Sequence, residues 1–106
     1  MSTFDKREAG FENKFARDEE LRFKATARRN KLLGQWAAEK MGFVGTAVDT
    51  YAKELVAADL EEAGDEDVVR KLVADFAAKK TEVSEHQIRR TMDELMATAV
   101  AQIEAK

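Results

Sequence analysis

The sequence predicts an all-α fold, a four-helix bundle preceded by a partly disordered N-terminal arm, and three observations carry the bundle. The 106 residues include no proline and five glycines, so almost nothing punctuates helical runs. Apolar residues recur at spacings of three and four in four segments, each with its own start or stop signal. The connections between those segments are short, which favours antiparallel neighbours. The length fits one folded domain. Hydrophobic residues make up 44%, enough for a core, and charged residues 37%, well above the usual quarter.

The first helix is expected from about Leu21 to Met41. Leu21, Ala25, Leu32 and Trp36 share a face, and Gly42 follows where a left-handed residue closes a helix. Thr46 is the expected cap of the second, with Asp49 in its first turn and Val48, Tyr51, Leu55 and Ala58 as its stripe. Gly64 ends the next connection. Asp65 is the expected cap of the third helix, with Glu66 and Asp67 beside the positive end of its dipole and Val69, Leu72, Val73 and Phe76 facing inward. Ser84 and Gln87 form a capping box for the last, whose stripe is Ile88, Met92, Leu95, Ala99 and Ile103.

The segment ahead of these helices reads differently. In MSTFDKREAGFENKFAR, Phe4, Phe11 and Phe15 stand alone among charges. At about 100° per residue they fall within roughly 40° of one another on a helix. That stripe is too narrow for a core but suits an amphipathic helix laid in a groove on a partner. An ideal helix would turn this face roughly 70° away from the Leu21/Ala25/Leu32/Trp36 face, so a break is expected near Arg17–Glu20. Gly10 weakens helicity further, and a helix this short is marginal alone in water. The expected division is therefore an arm over 1–19, helical when bound, and a four-helix domain over 20–106. Folding of the three rings onto the bundle is the rival reading of the same pattern.

Charge is uneven within a net of −3. Residues 21–44 carry six cations against Glu39, and residues 45–67 carry eight acids against Lys53, which suits neighbouring helices with complementary outer faces. The basic run RFKATARRNK admits a nucleic-acid reading through Arg22, Lys24, Arg28 and Arg29, with Phe23 stacking on a base. Against it, Asp18 and Glu20 stand four residues before Arg22 and Lys24, as helix-stabilising pairs do. An N-terminal coiled-coil homodimer is a third reading.

Enzyme chemistry finds little material. There is no cysteine, one histidine and two serines. His86 follows the Ser84 cap as an expected surface residue, and no serine has a recognisable base. EEAGDED lacks the spaced ligands of an EF-hand, and no phosphate-cradling glycine loop is present. No cofactor or metal is expected. No apolar run approaches a membrane span, and the N-terminus does not read as a signal peptide.

Three long strings carry a specific resemblance: FENKFARDEELRFKATARRNKLLGQWAAEK, YAKELVAADLEEAGDEDV and HQIRRTMDELMATAV. They resemble the zeta subunit family of alphaproteobacterial F-type ATP synthases over nearly the whole chain. The resemblance implies a non-enzymatic inhibitor of ATP hydrolysis. Its partner would be the catalytic head, with the arm entering an alpha/beta interface and reaching toward gamma. It also implies a cytoplasmic protein, monomeric when free, peripheral on the inner-membrane synthase and not inserted in the membrane. The family's FENKFA motif is present as Phe11 to Ala16. Stripe geometry makes Phe4, Phe11 and Phe15 the apolar anchors; Arg7, Asn13, Lys14 and Arg17 are the expected polar contacts. Relatives often carry histidine in place of Arg17 and proline in place of Ala63, so a family pH switch at the first position does not carry over here.

Overall fold

In a computed structural model, the described residues are 19–59 and 64–104, and they form four helices. These are α1 (Glu19–Lys40), α2 (Thr46–Asp59), α3 (Glu66–Ala78) and α4 (Glu85–Glu104). The expectations for residues 1–18 and for the loop at 60–63, Ala63 included, lie outside the described residues.

The first helix ends as its sequence requires. Gly42 sits at φ +89°, the Phe43 N–H donates to the Ala38 carbonyl at 2.9 Å, and the Gly42 N–H donates to that of Glu39 at 3.1 Å. This doubly bonded left-handed closure satisfies carbonyls that would otherwise be orphaned, and glycine adopts it without a Cβ penalty. α3 closes in the same pattern, with Thr81 N–H on Phe76 O at 2.8 Å and Lys80 N–H on Ala77 O at 3.0 Å. There the left-handed residue is Lys80, at φ 54°, which costs about 1 kcal/mol against glycine.

The capping box of α4 is present. The Gln87 N–H donates to Ser84 Oγ at 3.1 Å, and the Ser84 N–H donates to Gln87 Oε1 at 3.1 Å. Two expected caps are corrected. α2 already begins at Thr46, so the residue before the helix is Gly45, at φ +62°. Asp65 precedes α3, but its side chain makes no capping hydrogen bond; it is turned to Arg29 instead. Asp67, inside the first turn, accepts from the Val68 N–H at 2.9 Å.

α1 packs against both α2 and α4, so it buries a broader band than a single stripe. Leu33, Ala37 and Ala38 are fully enclosed, Ala25 nearly so, whereas the expected Leu21, Leu32 and Trp36 are half-buried. In α3 the inward set is Val68, Val69, Leu72 and Phe76; Val73, 100° beyond Leu72, is 42% exposed and not a core residue. α4 buries Ile88, Met92 and Ala99 from its predicted stripe.

The centre is an apolar cluster of Leu33, Leu55, Leu72, Phe76 and Ile88, one or more from every helix. Trp36 meets Phe76 edge-on at 5.8 Å, and Phe43 meets Tyr51 edge-on at 5.9 Å. α1 and α2 touch at Gly34, where a Cβ would lie 2.5 Å from Ala52 Cα. No helix of the described residues is long and apolar enough to cross a membrane.

Candidate functional site

The seven residues expected to contact a partner, Phe4, Arg7, Phe11, Asn13, Lys14, Phe15 and Arg17, all lie outside the described residues. What the structure describes is the platform that follows them. α1 begins at Glu19, the last residue of the expected arm, and its first buried residue is Ala25. Between these points Glu20, Arg22, Phe23 and Lys24 are exposed. The Lys24–Glu20 pair predicted from spacing is present at 3.4 Å, four residues apart on solvated helix surface.

One turn further along α1 a buried polar relay begins. Arg29 is 3% exposed and Asn30 is 1% exposed. The Arg29 guanidinium donates through Nη2 to Asp65 Oδ1 at 2.8 Å and through Nε to Asn30 Oδ1 at 2.8 Å. Asn30 Nδ2 donates in turn to Asp59 Oδ2 at 2.9 Å. The relay ties α1 to the end of α2 and to the residue before α3. Charged groups inside a protein are tolerated when paired and hydrogen-bonded, as Arg29 is here. Burial, opposed by the Asn30 hydrogen bond, pushes the Asp59 carboxyl above its ordinary value. Asp59 Oδ1 and Asp67 Oδ2 are buried and accept no hydrogen bond within the structure.

A second relay joins α2 to α3. The Tyr51 hydroxyl donates to Asp75 Oδ2 at 2.7 Å, and Lys71 Nζ lies 3.0 Å from the same oxygen. Lys71 also reaches Glu54 at 3.5 Å and stands 5.0 Å over the Tyr51 ring. Burial first, and the Asp75 hydrogen bond second, raise the Tyr51 hydroxyl well above its ordinary value. At the surface, Arg89 bridges Glu66 of α3 and Glu85 of α4 at 3.0 and 2.9 Å. Its hydrogen bond holds the Glu66 carboxyl below the usual range.

These relays fasten helices to one another, and the second also lines, through Tyr51, Glu54, Lys71 and Asp75, an open hollow of about 500 Å³. His86 is exposed in the first turn of α4. No group of three or more acids, histidines or cysteines among the described residues is placed to hold a metal ion.

The basic run is split by the fold. Arg29, one of four cations in the nucleic-acid reading, is withdrawn into the relay, and Arg28 donates to Gln102 of α4 at 2.9 Å. Only Arg22 and Lys24 of that set stand in the exposed first turns. Sequence reasoning missed the roles of Asn30, Asp59 and Gly34. A usable signal existed for Arg29: it sits four residues from Ala25 and from Leu33, on the face that those residues bury.

A family model described as ATPase inhibitor subunit zeta matches residues 1–102. A chain solved by solution NMR is 47% identical, covers 80% of this chain and 96% of its own length, and superposes with a TM-score of 0.72. No curated protein matches.

Proposed function

The chain belongs to the ATPase inhibitor subunit zeta family, a family of inhibitor subunits and not of catalytic enzymes, and we propose that it blocks ATP hydrolysis by an F-type ATP synthase through its N-terminal arm. The arm, residues 1–19, enters a catalytic alpha/beta interface as a helix and reaches toward gamma. Phe4, Phe11 and Phe15 anchor it, and Arg7, Asn13, Lys14 and Arg17 set its register. The free protein is a cytoplasmic monomer; the bound one is peripheral on the inner-membrane synthase.

The observation that carries this reading is the extent of the family match, which begins at residue 1 and so includes the arm. The described helices support it as a handle. All four supply buried residues to one core, and closures at Gly42, Lys80 and Ser84 fix their ends.

The physical logic is differential binding. The catalytic interfaces must open and close in turn, and a wedged helix binds some of those states better than others. An inhibitor shifts the cycle only by that difference in affinity. Aromatic anchors supply most of the binding energy at such interfaces, and the charges around them confer register and rate.

The test compares full-length protein with a chain lacking residues 1–19 in ATP hydrolysis by the cognate catalytic head. Inhibition by the full-length protein alone is expected. Equal inhibition by both would remove the arm from the mechanism.

A further inference from the structure

The outer seam between α1 and α2 is an open furrow that the fold leaves unfilled. Its widest hollow has a volume of about 640 Å³, and two smaller ones of about 290 and 410 Å³ adjoin it, all three sharing Val56. The lining is apolar: Phe23 and Ala27 of α1, Val56 of α2 and Ile103 of α4. Phe23 is 58% exposed, a large ring held at the furrow's edge with no aromatic partner among the described residues. The rim is basic. Arg22, Lys24, Arg28, Lys31 and Lys53 border the hollows, against Asp49 and Asp59. Of the acids, Asp59 already accepts from Asn30. Of the cations, Lys24 pairs with Glu20 and Arg28 donates to Gln102, while Arg22, Lys31 and Lys53 are exposed and make no ion pair among the described residues.

We propose that the α1/α2 furrow is a second docking surface, which takes an acidic amphipathic helix of the inhibited catalytic head, its apolar side chains on Phe23, Ala27 and Val56 and its carboxylates on the basic rim. Charge complementarity carries the choice of occupant, because a chain of net −3 sets Arg22, Lys31 and Lys53, which make no ion pair among the described residues, around Phe23, the largest exposed apolar side chain among those residues. A trough between two helices with an apolar lining is the shape that receives a third helix. A nucleic acid fits less well: the apolar lining offers one ring and otherwise aliphatic side chains, and Arg29 is buried away from the rim. The furrow starts three residues into α1, so an arm inserted in the enzyme would deliver it to an adjacent surface of the same partner. In that respect the proposal rests on the inhibitor reading above. It assigns the furrow affinity and salt dependence, and leaves the block of turnover to the arm.

The experiment uses the full chain and the cognate catalytic head, and it reads dissociation constant and maximal inhibition separately. A Phe23→Ser/Lys31→Glu/Lys53→Glu variant should bind at least ~10-fold more weakly, lose most of the salt dependence, and still inhibit fully at saturation. All three side chains are exposed, so its melting temperature should match the parent's. A Phe23→p-benzoylphenylalanine chain should photo-crosslink to an acidic helical segment of the head. The proposal is overturned by unchanged affinity together with crosslinks to a basic or non-helical segment or to none. It is equally overturned if the parent binds a short single-stranded DNA oligonucleotide and the triple variant does not. Failure of the arm reading looks different: a Phe11→Ala/Phe15→Ala chain would then inhibit as well as the parent.

Discussion

The first and last helices solve the same packing problem with different materials. α4 faces inward along one stripe, Ile88, Met92 and Ala99, and presents charges elsewhere. α1 lies against both α2 and α4, and its enclosed band includes Arg29, Asn30 and Gly34 beside Leu33 and Ala37. A helix with one buried face needs only apolar periodicity. A helix enclosed on two sides must also admit close backbone approach and satisfy polar groups in place. So α4 is specified by hydrophobic burial, and α1 by burial plus a close backbone approach at Gly34 and a buried polar relay at Arg29 and Asn30.

Breaking each helix should expose that difference. On α4, Ile88→Ala removes a fully buried side chain and should cost about 3 kcal/mol in denaturant unfolding, a pure loss of burial and packing. On α1, Gly34→Ala adds one methyl group to a helix position where alanine is normally favoured by about 1 kcal/mol. Here the new Cβ would meet the Ala52 backbone at 2.5 Å, so α1 and α2 must separate. The net expectation is a loss of about 2 kcal/mol, against the propensity. Asp65→Ala leaves Arg29 buried with Asn30 as its remaining partner and should cost about 1.5 kcal/mol, less than a fully buried pair would because Asp65 is 45% exposed. If Gly34→Ala stabilises instead, the account of α1 as a close-approach helix is wrong.

The smallest effect is a pH dependence. In the native chain the Asp59 carboxyl is raised, so the stability this group contributes is present below its unfolded value, near 3.8, and is lost as pH rises through the folded one. Asp59→Asn has no such loss. The melting temperature of the variant relative to the parent should therefore climb as pH rises from about 4 and level off once the native carboxylate is ionised. Glu66, lowered by Arg89, works in the opposite direction: its stability is present above the unfolded value and is lost as pH falls. A flat difference between the two chains would remove the desolvation argument at Asp59.

The same contrast explains what could be read from the residues. Gly42, the Ser84/Gln87 box and the Ile88/Met92/Ala99 stripe are local signals, complete within a few positions, and the structure has each of them. Arg29 and Asp65 are partners 36 positions apart, and a charge pattern treats each as solvated or as a cap. Gly34 is tight only because Ala52 arrives from another helix. Val73 was misassigned because three-and-four spacing does not say where a face ends. At the proposed partner site, the stripe of Phe4, Phe11 and Phe15 comes from the sequence alone, and the family match spans it.

The central claim is that inhibition and stability reside in separate parts of the chain. The most direct measurement is a Phe11→Ala/Phe15→Ala protein, assayed for inhibition of the cognate catalytic head and for melting temperature in the same preparation. The account predicts that inhibition falls by at least ~100-fold in affinity, the loss of two aromatic anchors of about 1.5 kcal/mol or more each, while the melting temperature stays within a few degrees of the parent's. Undiminished inhibition would remove the two rings from the inhibitory contact, and a melting temperature that collapses would place them in the bundle's core; either result contradicts the claim.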